Sequence, residues 1–143
     1  MFIGEYEHSI DIKGRVSFPS KFRDVLGEIF YMTKGLDSSI FVFPKAEWEI
    51  FEEKLKGLPL TNNNARAFVR MFFSGAQEIS FDKQGRIVIP QGLRNHANLE
   101  SDAYIIGVGT RIEIWDKKTW DEYTSPNSLN YDEIAAHMAE LGI

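Results

Sequence analysis

The chain has no cysteine. That excludes a disulfide framework and any thiolate metal site. Histidine is almost as scarce: His8, His96 and His137 are the whole set, and they lie far apart. No His-x-x-x-His pair offers metal-ligand spacing, and no Gly-x-Ser-x-Gly elbow offers a nucleophile. Gly107-Val-Gly109 lacks the further glycine of a phosphate-binding loop. No apolar run approaches the roughly 20 residues of a membrane-spanning helix. The opening Met1-Phe-Ile-Gly-Glu-Tyr-Glu7 lacks the basic flank and apolar stretch of a signal peptide, so a cytoplasmic location is expected. Excess positive charge is missing too. With 16 Lys and Arg against 21 Asp and Glu, the net charge of −5 weighs against a nucleic-acid partner. These absences nominate no enzyme, metal, cofactor or small-molecule substrate.

What is present is one segment written twice. Asp11-Ile-Lys-Gly-Arg-Val-Ser-Phe-Pro19, followed at Arg23, returns as Asp82-Lys-Gln-Gly-Arg-Ile-Val-Ile-Pro90, followed at Arg94. The offset is 71 residues in a chain of 143. Between 7–23 and 78–94, seven of 17 positions are identical, Glu7/Glu78 among them. A second match, Ile40 to Trp48 against Ile112 to Trp120, follows at an offset of 72. A repeat of this kind decides the fold class before any single element does.

Each copy reads as strand, turn, strand, short helix, strand pair and closing helix. Tyr6 to Ile10 and Glu78 to Phe81 are the first strands. Asp then suits the head of a tight turn, accepting a hydrogen bond from the backbone two residues on. Gly14 and Gly85 supply the left-handed residue. Arg15 to Phe18 and Arg86 to Ile89 are the next strands, rich in β-branched residues. Pro19 and Pro90 open short helices. Ile29 to Lys34 with Ile40 to Phe43 form the later strand pair of the first copy. Ala103 to Val108 with Ile112 to Trp115 form that of the second. Gly35 and Gly107 to Gly109 are the breakers between strands. Trp48, Phe51 and Leu55 predict a helical face, and Asp116 predicts an N-cap. Residues 61–75 and 131–141 predict two further helices outside the repeat. The terminal one, with Ile134, Met138 and Leu141, packs on its own body or on a neighbour. Isolated hairpins are marginal in water, so the copies are expected to share one core.

Charge is distributed unevenly. Residues 11–23 hold four basic side chains against Asp11, and 82–94 hold three against Asp82. The acidity lies largely between Asp116 and Glu140. A turn followed by a strand has no backbone need for arginine, yet Arg15 and Arg86 both recur. Asp four residues earlier sits close to each. The pair is either a surface ion pair of little net worth or a device that presents an oriented guanidinium. Arg suits phosphate and bidentate contact with guanine. Arg23 and Arg94 either contact phosphate or cover apolar surface with their stems. Glu7 and Glu78 suggest a hydrogen-bonded packing pair across a pseudo-dyad.

The doubled Asp-x-x-Gly-Arg-(three residues)-Pro-(three residues)-Arg, with Met1-Phe-Ile-Gly-Glu-Tyr and His8-Ser-Ile before it, resembles the MraZ family. Those proteins are bacterial regulators of the division and cell wall gene cluster. The likeness covers nearly the whole chain. It implies an α+β, β-rich fold in which two tandem repeats form an intramolecular swapped-hairpin β-barrel of the AbrB type, with peripheral helices. It implies a homo-oligomeric ring on double-stranded promoter DNA, binding direct repeats ahead of its own operon as a repressor associated with the nucleoid. Arg15 and Arg86, with Lys13 and Lys83, become the expected DNA contacts, and Asp11 and Asp82 their orienting partners. Gln84 stands where the first copy has Lys13, so the two halves are not equivalent. The expected division is 5–57 and 76–124 for the repeats, 58–75 for a linking helix and 125–143 for a C-terminal helical tail. The rival reading is an oligomeric structural or protein-interaction ring, with the arginines held in internal ion pairs.

Overall fold

The computed structural model describes residues 1–143. The first repeat supplies β1 (Phe2–Ser9), β2 (Arg15–Ser17), α1 (Ser20–Leu26), β3 (Phe30–Lys34), β4 (Ile40–Pro44) and α2 (Lys45–Lys56). After α3 (Asn63–Gly75), the second supplies β5 (Gln77–Ile79), β6 (Arg86–Val88), α4 (Gln91–His96), β7 (Asp102–Gly109), β8 (Ile112–Asp116) and α5 (Lys117–Tyr123). The last helix is α6 (Tyr131–Ala139). The fold is mixed α+β and sheet-rich.

All strand pairings are antiparallel. Six strands form an open sheet in the order β1-β7-β8-β4-β3-β5, and β2 with β6 forms a separate ribbon. The repeats exchange their first strands: β1 pairs with β7 of the second repeat, and β5 with β3 of the first. Equivalent residues face one another at the centre, Val16 against Ile87 in the ribbon and Phe41 against Glu113 in the sheet. A pseudo-dyad therefore runs through both pairs, and the copies are interlocked rather than adjacent.

The main core lies where the ribbon meets the sheet. Val16 and Ile87 point inward with Phe18, Phe30, Ile89, Ile105 and Ile114. On the opposite face of the sheet, Phe41, Phe43, Trp48, Leu55 and Phe72 form a second cluster under α2 and α3. Strand alternation explains the two-sided burial of β4: Ile40 and Val42 belong to the first cluster, Phe41 and Phe43 to the second. The buried Thr33 hydroxyl donates to the Phe72 carbonyl at 2.6 Å and ties α3 to β3.

Three expectations need correction. The first strand begins at Phe2, four residues before Tyr6, because Phe2 is buried with its ring edge against Phe22 at 5.4 Å. Gly107 is no breaker. It lies inside β7, and a Cβ there would collide with the backbone of Phe2 and Ile3 on β1, so its glycine permits close strand approach. Glu7 and Glu78 are not a pair. They sit on opposite edges of the sheet, Glu7 with Lys117 Nζ at 3.1 Å and Glu78 accepting from the Tyr31 hydroxyl at 3.1 Å.

Candidate nucleic-acid interface

Each hairpin tip is organised by one carboxylate. Asp11 Oδ1 accepts from the backbone N–H of Lys13 at 3.0 Å and of Arg15 at 2.9 Å. Asp82 Oδ1 accepts from Gln84 and Arg86 at 2.8 and 2.9 Å. The Gly14 and Gly85 N–H groups donate to the Asp11 and Asp82 carbonyls at 2.9 and 3.1 Å, closing the turns. Both glycines have positive φ, 81° and 73°. The second carboxylate oxygen reaches the arginine: Arg15 Nε donates to Asp11 Oδ2 at 2.6 Å, and Arg86 Nε to Asp82 Oδ2 at 3.0 Å. The aspartate thus caps its own turn and orients the guanidinium at once.

These bonds hold both carboxyls below their ordinary value of 3.8, the backbone N–H of Arg15 or Arg86 being the largest cause. A depressed carboxyl pKa stabilises the fold above the unfolded value. That stabilisation is lost as pH falls from 3.8 through the folded value, so both tips are fully charged at neutral pH.

The ribbon register decides what the arginines share. Arg15 lies opposite Val88, and Ser17 opposite Arg86. Side chains alternate along a strand, so Arg15, Ser17, Arg86 and Val88 occupy one face and Val16 with Ile87 the other. The inner pair is buried, whereas Val88 is 53% exposed. Arg15 and Arg86 stand two ladder positions apart on neighbouring strands, roughly 7 Å along the ribbon. Their Nε atoms are engaged by aspartate, and their terminal nitrogens make no hydrogen bond within the chain. Lys13 and Lys83 are exposed on the two turns.

Arg23 and Arg94 lie against the hairpin turns. Each crosses the pseudo-dyad. The Arg94 guanidinium lies over Gly14, where a Cβ would meet its Cζ at 2.6 Å, and Arg23 lies over Gly85 in the same way. Arg94 Nε is buried without a hydrogen-bond partner. Each arginine therefore buttresses the turn of the other repeat. Gly85→Ala is expected to cost ~1–2 kcal/mol from left-handed backbone alone, with displacement of Arg23 added. Gly92→Ala, in α4 with open space around it, is expected to be neutral or slightly stabilising. Thermal unfolding of the two variants checks the contrast.

One tip residue escaped the sequence reading. Ile12 is 97% exposed between Asp11 and Lys13. The available signal was its alignment with Lys83 in the other copy. No group of three His, Asp or Glu side chains converges to hold a metal ion, and no helix is long and apolar enough to cross a membrane.

The family model described as "MraZ protein, putative antitoxin-like" matches residues 1–71 and again 72–141. The chain belongs to the MraZ family. The double match covers both repeats, each carrying one Asp–Arg hairpin. Curated relatives named transcriptional regulator MraZ are similar over their whole length. The protein of Alkaliphilus oremlandii is 62% identical over 143 residues, covering 100% of both chains. Those of Clostridium tetani and Acetivibrio thermocellus are 59% and 56% identical at the same coverage.

Proposed function

We propose that this chain is a sequence-specific, DNA-binding transcriptional regulator, with Arg15 and Arg86 as its principal base contacts. The observation that carries the reading is the outer face of the β2·β6 ribbon. Two guanidiniums share that face two ladder positions apart, held at Nε and free at their terminal nitrogens. A two-stranded ribbon fits the roughly 12 Å major groove, and a free Nη pair suits guanine O6 and N7. Lys13 and Lys83 on the turns suit phosphate, and Ile12 suits a thymine methyl. Arg23 and Arg94 hold the turns from behind, with any phosphate contact secondary.

The regulated unit is its own division and cell wall operon, repressed through direct repeats in the promoter, inside the cytoplasm and at the nucleoid. Full-length relatives are named as transcriptional regulators, which supports a regulatory role and no finer detail; the charge balance supports action as an assembly. One subunit at net −5 binds DNA weakly, whereas a ring repeating the patch gains roughly 10²–10⁴ in avidity. An AbrB-type swapped-hairpin barrel is the closed form of the observed strand exchange, supported by the core packed between ribbon and sheet. The first repeat, expected over 5–57, extends back to Phe2 with β1; 76–124 is the second repeat, 58–75 the link and 125–143 the tail.

The test is fluorescence anisotropy with the DNA just upstream of this reading frame and a scrambled duplex of equal composition. Preference for the upstream duplex is expected, with affinity falling steeply and log-linearly in salt. Equal affinity for both duplexes would contradict the reading.

A further inference from the structure

Helix α6 is weakly anchored on its own chain: no residue from Tyr131 to Ile143 is buried, and Ile134 and Met138 are only partly covered, at 41% and 36% exposure. Ile134, Met138 and Leu141, at i, i+4 and i+7, nevertheless form one apolar face. A nine-residue helix is not stable alone in water, so this face calls for a cover. Its counterpart in the first half is α3. Both are capped by an asparagine side chain, Asn62 accepting from Ala65 N–H and Asn130 from Glu133 N–H, each at 3.0 Å. Helix α3 packs Phe72 into the sheet; α6 has no such anchor.

The chain also carries an uncovered groove between the end of α2 and α3. Leu58, Leu60, Val69 and Phe73 line it, and Leu60 is 80% exposed. Its rim holds Lys56, Arg66 and Arg70. Lys56 is paired with Glu52 at 2.8 Å, but Arg66 bonds only uncharged groups and Arg70 makes no hydrogen bond or ion pair. The tail has the opposite charge: Asp132, Glu133 and Glu140 occur with no Lys or Arg after Lys118. The aromatic surface of the second half, around Trp120, suits an acidic helix poorly. Glu5, Glu7, Asp121 and Glu122 there outnumber Lys117 and Lys118.

We infer that α6 of one copy seats in the α2–α3 groove of the next copy, its apolar face on Leu60 and Phe73 and its acids against Arg66 and Arg70. Donor and acceptor surfaces differ, so the contact is head-to-tail, and repeating it closes a ring or extends a filament. This names the joint of the proposed assembly and rests on that reading for assembly alone.

Sedimentation velocity on the full chain tests it, with circular dichroism to confirm folding. Met138→Asp lies on an exposed helix and is expected to weaken association by roughly 10- to 100-fold. Reversing the groove (Arg66→Glu with Arg70→Glu) or the helix (Glu133→Lys with Glu140→Lys) is expected to weaken it as well. Combining both reversals is expected to restore it. Undiminished assembly of Met138→Asp, a monomeric parent protein, or no recovery in the combined variant would overturn the inference. The DNA reading fails separately: Met138→Asp is expected to keep its preference for upstream over scrambled duplex at reduced avidity. Arg15→Ala with Arg86→Ala is expected to keep assembly and lose that preference.

Discussion

Arg15→Ala combined with Arg86→Ala is expected to erase discrimination between the upstream duplex and a scrambled one. A good bidentate arginine contact supplies ~1–3 kcal/mol of discrimination. Two per subunit, if additive, amount to roughly 30- to 10⁴-fold in relative affinity. The fold should survive, because both side chains lie on the outer face of the ribbon while Val16 and Ile87 beneath them hold the core. Asp11→Asn with Asp82→Asn probes the other half of the device. Asparagine keeps the turn-capping oxygen but not the charged partner of Nε. A smaller loss of affinity with an intact fold is expected.

The second large effect concerns stability. Phe72→Ala is expected to destabilise the protein by ~3–5 kcal/mol, the usual cost of emptying a buried aromatic site. Phe72 is fully buried, and its ring meets Phe41 at 6.0 Å, Phe51 at 5.1 Å and Phe68 at 4.6 Å. Those partners lie on β4, α2 and α3, so one deletion loosens three elements. Thermal unfolding should fall by roughly 10 °C or more for a chain of this size. A shift of only a degree or two would mean that α3 is not anchored through this residue. Phe68→Ala, at the 37%-exposed position one turn earlier, provides the comparison and should cost much less.

Local chemistry was legible in the sequence, and long-range pairing was not. Asp-x-x-Gly announces its turn because the hydrogen bonds that build it fall within four residues. The apolar strand after it, and the N-cap at Asp116, are equally local. The exchange of β1 and β5 leaves no such trace. Phe2 meets Gly109 and Ser9 meets Asp102 across about a hundred residues, and alternation alone does not choose a partner. Gly107 looked like a breaker because a glycine flanked by another reads as a turn. Only the approach of β1 reveals that it is a contact. The cross-dyad seats of Arg23 and Arg94 were hidden for the same reason. Their recurrence was visible, but the glycine each covers belongs to the other copy. The sequence offered two homes for α6, and none of its residues is buried on its own chain.

The hairpin arginines as readers of bases, rather than as mere positive charge, can be tested by changing their shape alone. Arg15→Lys with Arg86→Lys keeps the charge and removes the planar fork. The decisive quantity is the ratio of affinities for upstream and scrambled duplex at one fixed salt concentration. The expected result is a ratio falling toward one while affinity for the scrambled duplex is largely kept. An unchanged ratio would contradict base readout by Arg15 and Arg86.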